Sequence, residues 1–185
     1  MTSANKVTLT RMALIPVMIV FMSIDIKTIN WFNTTIDLSK LIAAIIFVIA
    51  AFTDFLDGYL ARKNNEITTF GKFLDPIADK VLVIAAMLFL INRVHLWAVM
   101  IVIFREFAVT GLRLLAVDKG NVIAASPYGK IKTAATMLAL IIMLFNDFGL
   151  TPIIADVIWY IAVFFTALSG FDYIYKNRKI IFESI

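Results

Sequence analysis

The sequence predicts an all-α integral membrane protein with six transmembrane helices and a short N-terminal amphipathic segment. Of its 185 residues, 62% are hydrophobic, and the mean hydropathy is +0.93. Soluble domains have roughly 45–50% apolar residues. Apolar windows near the length that crosses a bilayer core, about 20 residues, also recur along the chain. A water-soluble protein is therefore excluded.

The apolar windows follow one another through the whole chain and are separated by polar residues, glycine or proline. They cover residues 10–23, 38–61, 70–91, 96–117, 129–145 and 152–174. The first window is short and contains Pro16, so we expect part of residues 2–11 to form an amphipathic helix on the membrane surface. Because no repeat or linker interrupts the pattern, residues 1–185 are predicted to form one membrane-embedded domain.

The charges predict the orientation of these spans. The chain has 17 Lys and Arg residues, and six spans place twelve of them on the side that holds both termini. The opposite loops hold only Lys27, Lys40 and Arg93. Cytoplasmic loops of membrane proteins are enriched in Lys and Arg. We therefore expect a multi-pass protein of the cell membrane with both termini in the cytoplasm. His95 and the tryptophans are expected at the outer interface; they are Trp31, Trp97 and Trp159.

Residue counts exclude several kinds of site. The chain has no cysteine and one histidine, which rules out disulfides, thiolate metal sites, cysteine nucleophiles and histidine-rich metal sites.

Four carboxylates stand out at predicted helix ends on the cytoplasmic side. Asp54 and Asp57 are three residues apart, and Asp75 and Asp79 are four apart, so each pair lies on one helix face. A carboxylate at membrane depth costs about 2.5–3.5 kcal/mol on insertion scales, which favours a functional role. The short loop near residues 63–70 predicts antiparallel helices with the two pairs facing each other.

Four neighbouring carboxylates repel one another unless cations neutralise them. Two divalent ions balance the four charges, and all-oxygen ligands suit Mg²⁺ or Mn²⁺. Paired ions of this kind activate a nucleophile and stabilise a leaving group at phosphorus. The alternative is that Asp75 caps a helix before Pro76 and that Asp79 compensates the helix dipole.

The stretch from Asp54 to Asp79 reads D-x2-D-G-x2-A-R-x8-G-x3-D-x3-D. This pattern resembles the signature of the CDP-alcohol phosphotransferases, and six spans are also that family's architecture. The resemblance implies the CDP-alcohol phosphotransferase fold, a homodimer, and transfer of a phosphatidyl group from CDP-diacylglycerol to an alcohol with release of CMP. It implies that Asp54, Asp57, Asp75 and Asp79 share two divalent ions and that Asp79 is also the general base.

The resemblance also implies a set of residues that bind CDP-diacylglycerol. Gly58 and Ala61, one turn apart, would leave a notch for the cytidine nucleotide, although small residues at this spacing also serve close helix packing. Arg62 can hold phosphate through forked hydrogen bonds. The full set is Thr8, Gly58, Ala61, Arg62, Thr68 and Gly71.

Four cations are predicted to bind the acceptor. Arg105 and Arg113 are eight residues apart, about two turns, and share a helix face. Lys130 and Lys132 open the next apolar window. A basic pocket beside the metal ions favours an acceptor that carries its own phosphate. Within the family, these segments resemble the phosphatidylglycerophosphate synthases, whose acceptor is sn-glycerol 3-phosphate. The alternative for Arg105 is a structural pair with Glu106.

Two further interpretations remain open. Another acceptor, namely inositol phosphate, serine or phosphatidylglycerol, would change the product but not the metal chemistry. A cation or proton-coupled transporter would also place carboxylates in a membrane. The transporter interpretation leaves the spacing of Gly58, Ala61 and Arg62 without a role.

Overall fold

The structure is a computed structural model that describes residues 3–32, 34–64, 69–118 and 127–178. The described chain is almost entirely helical. Its helices are α1 (Ser3–Ser23), α2 (Leu38–Asn64), α3 (Thr69–Phe89), α4 (Ile91–Val94), α5 (Leu96–Asp118), α6 (Pro127–Leu144) and α7 (Ile153–Lys176), with a 3₁₀ turn at Asn146–Gly149. Five of the six long helices match predicted apolar windows to within about three residues at each end, and α1 begins seven residues before the first window.

Membrane crossing depends on both the length and the apolar character of a helix. Among the described helices, α7 alone is long and apolar enough to cross a bilayer by itself. The apolar stretches Val7–Ser23 in α1 and Leu38–Thr53 in α2 are shorter.

The all-α prediction is wrong between α1 and α2. Strands β1 (Thr28–Trp31) and β2 (Thr34–Asp37) form an antiparallel hairpin in which Trp31 lies opposite Thr34. The strands consist mainly of threonine, isoleucine and tryptophan, which favour extended backbone. The turn passes through Phe32, whose positive φ of 49° reverses the chain.

The predicted N-terminal amphipathic segment is the first part of a longer helix. Helix α1 runs without interruption from Ser3 through Pro16 to Ser23. Thr8 is only 2% exposed and Arg11 is fully buried, because α1 packs against both α2 and α3. The N-terminal helix is therefore part of the packed protein.

The chain divides into two compact units. The first contains Met1–Leu90 and Ile141–Thr151, and the second contains Ile91–Leu140 and Pro152–Ile185. In the first unit, α1 lies against α2 and α3. The buried side chains there include Met18, Phe47 and Leu82. In the second unit, α5 packs against α7, and Val109 and Leu112 cluster with Tyr173.

Helix α2 begins at a side-chain cap supplied by Asp37. The backbone N–H of Ser39 donates to Asp37 Oδ1 at 2.8 Å, which satisfies one of the free amides at the helix start. The backbone N–H of Ile26 donates to the same carboxylate oxygen at 3.3 Å. Asp37 therefore ties the segment after α1 to the first turn of α2.

The hairpin is fastened to the 3₁₀ turn within the first unit. Asn146 Nδ2 donates to Thr34 Oγ1 at 2.9 Å and to the Thr35 carbonyl at 3.2 Å. Trp31 stacks on Phe145 with ring centres 6.1 Å apart. Contacts between residues far apart in sequence thus hold the hairpin against the 3₁₀ turn.

One of the three tryptophans expected at the outer interface is buried within the protein. Trp159 is 1% exposed, and its Nε1 donates to the Val94 carbonyl at 3.1 Å. A buried indole satisfies its N–H group in this way. Trp97 is exposed and stacks on Tyr160.

Candidate active site

The four aspartates lie on two consecutive helices that pack against each other. Asp54 and Asp57 belong to α2, and Asp75 and Asp79 belong to α3. Asp54 is ten residues before the last residue of α2, and Asp79 is ten residues after the first residue of α3. Residues 65–68 join these helices, and so short a connection makes them antiparallel neighbours. Both pairs therefore lie at similar distances along their helices, roughly 9–15 Å from the helix ends that residues 65–68 connect.

The capping interpretation of Asp75 is wrong. Helix α3 begins at Thr69, and Pro76 lies inside it. Asp75 is thus in the helix interior, where it cannot serve as the N-cap. An interior proline also lacks the N–H that would bond the carbonyl four residues earlier. One backbone hydrogen bond of α3 is therefore missing near Asp75, although the helix continues through Pro76.

The donor set on α2 and α3 has the chemistry that hard divalent ions require. Carboxylate oxygens are the preferred ligands of Mg²⁺ and Mn²⁺. Of the four aspartates, only Asp79 has a side chain that the structure describes. Among the described side chains, no three acidic or histidine residues form a cluster that could hold a metal ion. Asp79 is half-buried, and Ala78 and Leu82 of the same helix are buried. The prediction of a metal pair therefore depends on the four carboxylates and on their similar distances from the connected ends of α2 and α3.

Five of the six residues predicted to bind CDP-diacylglycerol lie on α1, α2 and α3. Gly58, Ala61 and Arg62 are in the last turns of α2, and Gly71 is in the first turn of α3. Thr8 is buried on α1, which packs against both of these helices. Thr68 lies outside the described residues.

Arg105 on α5 contacts Ser169 on α7 and the adjacent Glu106. Its Nη2 donates to Ser169 Oγ at 2.7 Å, and its Nη1 forms an ion pair with Glu106 Oε1 at 3.1 Å. The structural pair with Glu106 is therefore present, and the phosphate role of Arg105 stays a prediction. Within the described residues, the buried Nε of Arg105 has no hydrogen-bond partner.

The two lysines on α6 have different environments. Lys132 is buried and forms an ion pair with Glu106 Oε1. Lys130 is exposed in the first turn of the helix. The structure thus brings Lys132 and Arg105 together through Glu106.

Arg113 contacts a different residue of α7. Its Nε donates to the Tyr173 hydroxyl at 2.8 Å, and its guanidinium carbon lies 5.6 Å from the centre of the Tyr173 ring. Arg105 and Arg113 therefore both contact α7, two turns apart along α5.

Comparison with known proteins identifies the family. The family model described as CDP-alcohol phosphatidyltransferase matches residues 1–168, which is most of the chain. The chain belongs to the CDP-alcohol phosphatidyltransferase family. This assignment agrees with the resemblance inferred from the aspartate motif.

Relatives of this CDP-alcohol phosphatidyltransferase carry one name in several bacteria. A protein of Bacillus subtilis is 45% identical over 183 residues, covering 94% of this chain and 93% of its own length. A protein of Rickettsia bellii is 37% identical over 182 residues, covering 95% and 94%. One from Haemophilus influenzae is 39% identical over 160 residues, covering 83% and 86%. Each is named CDP-diacylglycerol–glycerol-3-phosphate 3-phosphatidyltransferase.

The sequence did not predict the residues of α7 that contact Arg105 and Arg113. Ser169 and Tyr173 hold the two arginines, yet both lie beyond the residues that the family model matches. The indication in the sequence is a set of regularly spaced polar and small residues in an otherwise apolar helix, because such residues mark a contact between helices. These residues are Thr166, Ser169, Gly170 and Tyr173. Arg11, one of the twelve basic residues expected on the cytoplasmic side, is fully buried.

Proposed function

We propose that this protein transfers the phosphatidyl group of CDP-diacylglycerol to sn-glycerol 3-phosphate, giving phosphatidylglycerophosphate and CMP. The observation that carries the proposal is the complete aspartate motif, whose residues belong to the packed helices α2 and α3. Relatives that share the chain's length and 37–45% of its residues are named for this reaction.

Two divalent cations, Mg²⁺ or Mn²⁺, are the proposed cofactors. Asp54, Asp57, Asp75 and Asp79 would hold them through carboxylate oxygens. When bound, such ions neutralise charge on the pyrophosphate of CDP-diacylglycerol and on the departing CMP.

Asp79 is the proposed general base. Its carboxylate takes the proton from the C1 hydroxyl of glycerol 3-phosphate, and the hydroxyl oxygen forms a bond to the β-phosphorus of CDP-diacylglycerol. The bond from that phosphorus to the bridging oxygen breaks, so its electron pair leaves with CMP. No covalent enzyme intermediate is needed. The half-buried position of Asp79 supports this role, because the group keeps some exposure to a substrate.

The remaining predicted residues are assigned to the two substrates. Thr8, Gly58, Ala61, Arg62, Thr68 and Gly71 are proposed to bind CDP-diacylglycerol. Arg105, Arg113, Lys130 and Lys132 are proposed to bind the phosphate of glycerol 3-phosphate and to orient its C1 hydroxyl. The unsatisfied Nε of Arg105 supports this assignment, because a phosphate oxygen would supply the partner that a buried N–H group requires.

We further propose that the six long helices cross the cell membrane, with both termini and the active site cytoplasmic. The uneven distribution of basic residues supports this orientation. Residues 1–185 would act as one catalytic domain, since the family match extends into both compact units. The acyl chains would remain among membrane lipids, and a homodimer is the proposed assembly.

One assay tests the reaction. Purified protein in detergent is incubated with CDP-diacylglycerol and, in turn, glycerol 3-phosphate, inositol phosphate, serine and phosphatidylglycerol, with and without EDTA. We expect CMP release only with glycerol 3-phosphate, its loss in EDTA, and its return when Mg²⁺ or Mn²⁺ is added in excess. CMP release with a different acceptor would overturn the substrate assignment. Cation flux in vesicles without CMP release would favour a transporter.

A further inference from the structure

Glu106 is the centre of a charged cluster that joins two helices of the second unit. Its Oε1 accepts hydrogen bonds from Arg105 on the same helix and from Lys132 on α6. The three side chains are largely shielded from water: Lys132 is 8%, Arg105 12% and Glu106 22% exposed. Charged groups at this burial persist only when they are paired.

The cluster has more positive than negative charge. Arg105 and Lys132 contribute two positive charges, and Glu106 contributes one negative charge. Without the carboxylate, two buried cations would repel each other and separate. With it, they converge and still leave one net positive charge, which an anionic ligand can neutralise.

Helix α7 fixes the other side of Arg105. Ser169 Oγ accepts a hydrogen bond from Arg105 Nη2 at 2.7 Å. The neighbouring residue is Gly170, where an added Cβ would lie 3.1 Å from Arg105 Cγ. The guanidinium is therefore bonded to both Glu106 and Ser169, and the Arg105 side-chain stem lies close to Gly170.

We propose that Glu106 is a positioning residue, which holds Arg105 and Lys132 together so that both bind the phosphate of the acceptor alcohol. This inference rests on the proposed function. Glu106 acts through the two cations, both of which donate to its Oε1. Its loss should therefore weaken acceptor binding more than it slows the chemical step.

The Glu106→Gln variant tests the proposal, since it keeps the shape of the side chain and removes its charge. Steady-state CMP release is measured while glycerol 3-phosphate and CDP-diacylglycerol are varied separately. We expect the KM for glycerol 3-phosphate to rise about tenfold, the fold-change that corresponds to loss of one charged hydrogen bond. The KM for CDP-diacylglycerol and kcat should each change less than about twofold on the same scale. Glu106→Asp, which restores the charge, should recover part of the affinity.

Asp156→Asn is the matched control. Asp156 is also an ion-paired carboxylate of the second unit, bonded to Arg93 Nε at 2.8 Å. It lies thirteen residues before Ser169 on α7, about 20 Å along the helix. We expect both KM values to match those of the wild type.

The outcomes separate this proposal from the reaction itself. A Glu106→Gln variant with unchanged KM for glycerol 3-phosphate, or with reduced kcat alone, overturns the positioning role while wild-type activity still supports the reaction. If the wild type uses another phosphorylated acceptor, the same comparison is made with that compound. Isothermal titration of wild type and variant with glycerol 3-phosphate provides a readout without turnover. Equal affinities in that titration would also overturn the positioning role.

Discussion

Asp79 offers the sharpest test of the proposed chemistry at a single side chain. Asp79→Asn retains the size of the group and one oxygen but removes the negative charge and the ability to accept a proton. We expect kcat for CMP release to fall by about 10²–10⁴-fold, the usual contribution of a positioned general base. The measurement is initial velocity at saturating concentrations of both substrates.

Asp156→Asn is again the comparison, because it removes a carboxylate outside the proposed site. Near-normal turnover by Asp79→Asn would contradict the base assignment. Loss of folding is checked by gel filtration and by the thermal unfolding temperature of each variant.

The buried polar residues show how far the candidate site can be predicted from sequence. The aspartates are found by pattern because charges within apolar windows are few and their spacing is specific. Ser169 and Tyr173 are not found, since a single hydroxyl in an apolar helix is compatible with many environments. Only the packing of α5 against α7 shows that these hydroxyls contact arginines.

Two glycines of helices α5 and α7 form a matched pair for testing how these helices pack. A Cβ added at Gly111 would meet nothing within 4 Å, whereas one added at Gly170 would lie 3.1 Å from Arg105 Cγ. We expect Gly111→Ala to stabilise the protein by up to about 1 kcal/mol, because alanine is the better helix former. Gly170→Ala should lose that gain and raise the KM for glycerol 3-phosphate, because Arg105 must move.

Thermal unfolding in detergent and the acceptor KM distinguish these two variants. Equal stabilisation by both substitutions, with an unchanged KM, would show that the contact between Gly170 and Arg105 does not constrain the helices.

The cap of α2 predicts a dependence of stability on pH. The side-chain hydrogen bond from Ser39 lowers the pKa of Asp37 below its ordinary value of 3.8. The native state therefore favours the ionised carboxylate. The resulting stabilisation is complete above the unfolded pKa and is lost as pH falls through the lower, folded pKa.

Asp37→Asn isolates this contribution, because asparagine also caps helices but does not titrate. The unfolding temperature of the wild type should decrease more steeply than that of the variant below about pH 4. Parallel decreases would show that the cap does not contribute to acid sensitivity.

The helices themselves are the most predictable part of the fold. Apolar windows fixed α2, α3, α5, α6 and α7 to within about three residues at each end. The hairpin was missed because four-residue strands are too short to show an alternating pattern. The burial of Trp159 was not predicted, because the interface preference of tryptophan is statistical and does not indicate a contact such as the one with the Val94 carbonyl.

The proposed orientation of the whole molecule can be tested directly because the chain contains no cysteine. Single cysteines at Asn30, in the hairpin, and Arg178, after α7, would each give one labelling site. Both positions are exposed. We expect a membrane-impermeant maleimide to label the N30C variant in intact cells and to label R178C only after permeabilisation. The opposite pattern would invert the topology.

The fastening of the hairpin to the 3₁₀ turn has a consequence for biogenesis. The first unit consists of Met1–Leu90 and Ile141–Thr151, so the chain leaves it and later returns. Asn146, which bonds Thr34 and Thr35, is translated more than a hundred residues after them. A nascent chain that has emerged only through Leu90 therefore carries the four motif aspartates in an unfinished unit. Its completion waits until most of the polypeptide has been synthesised and inserted.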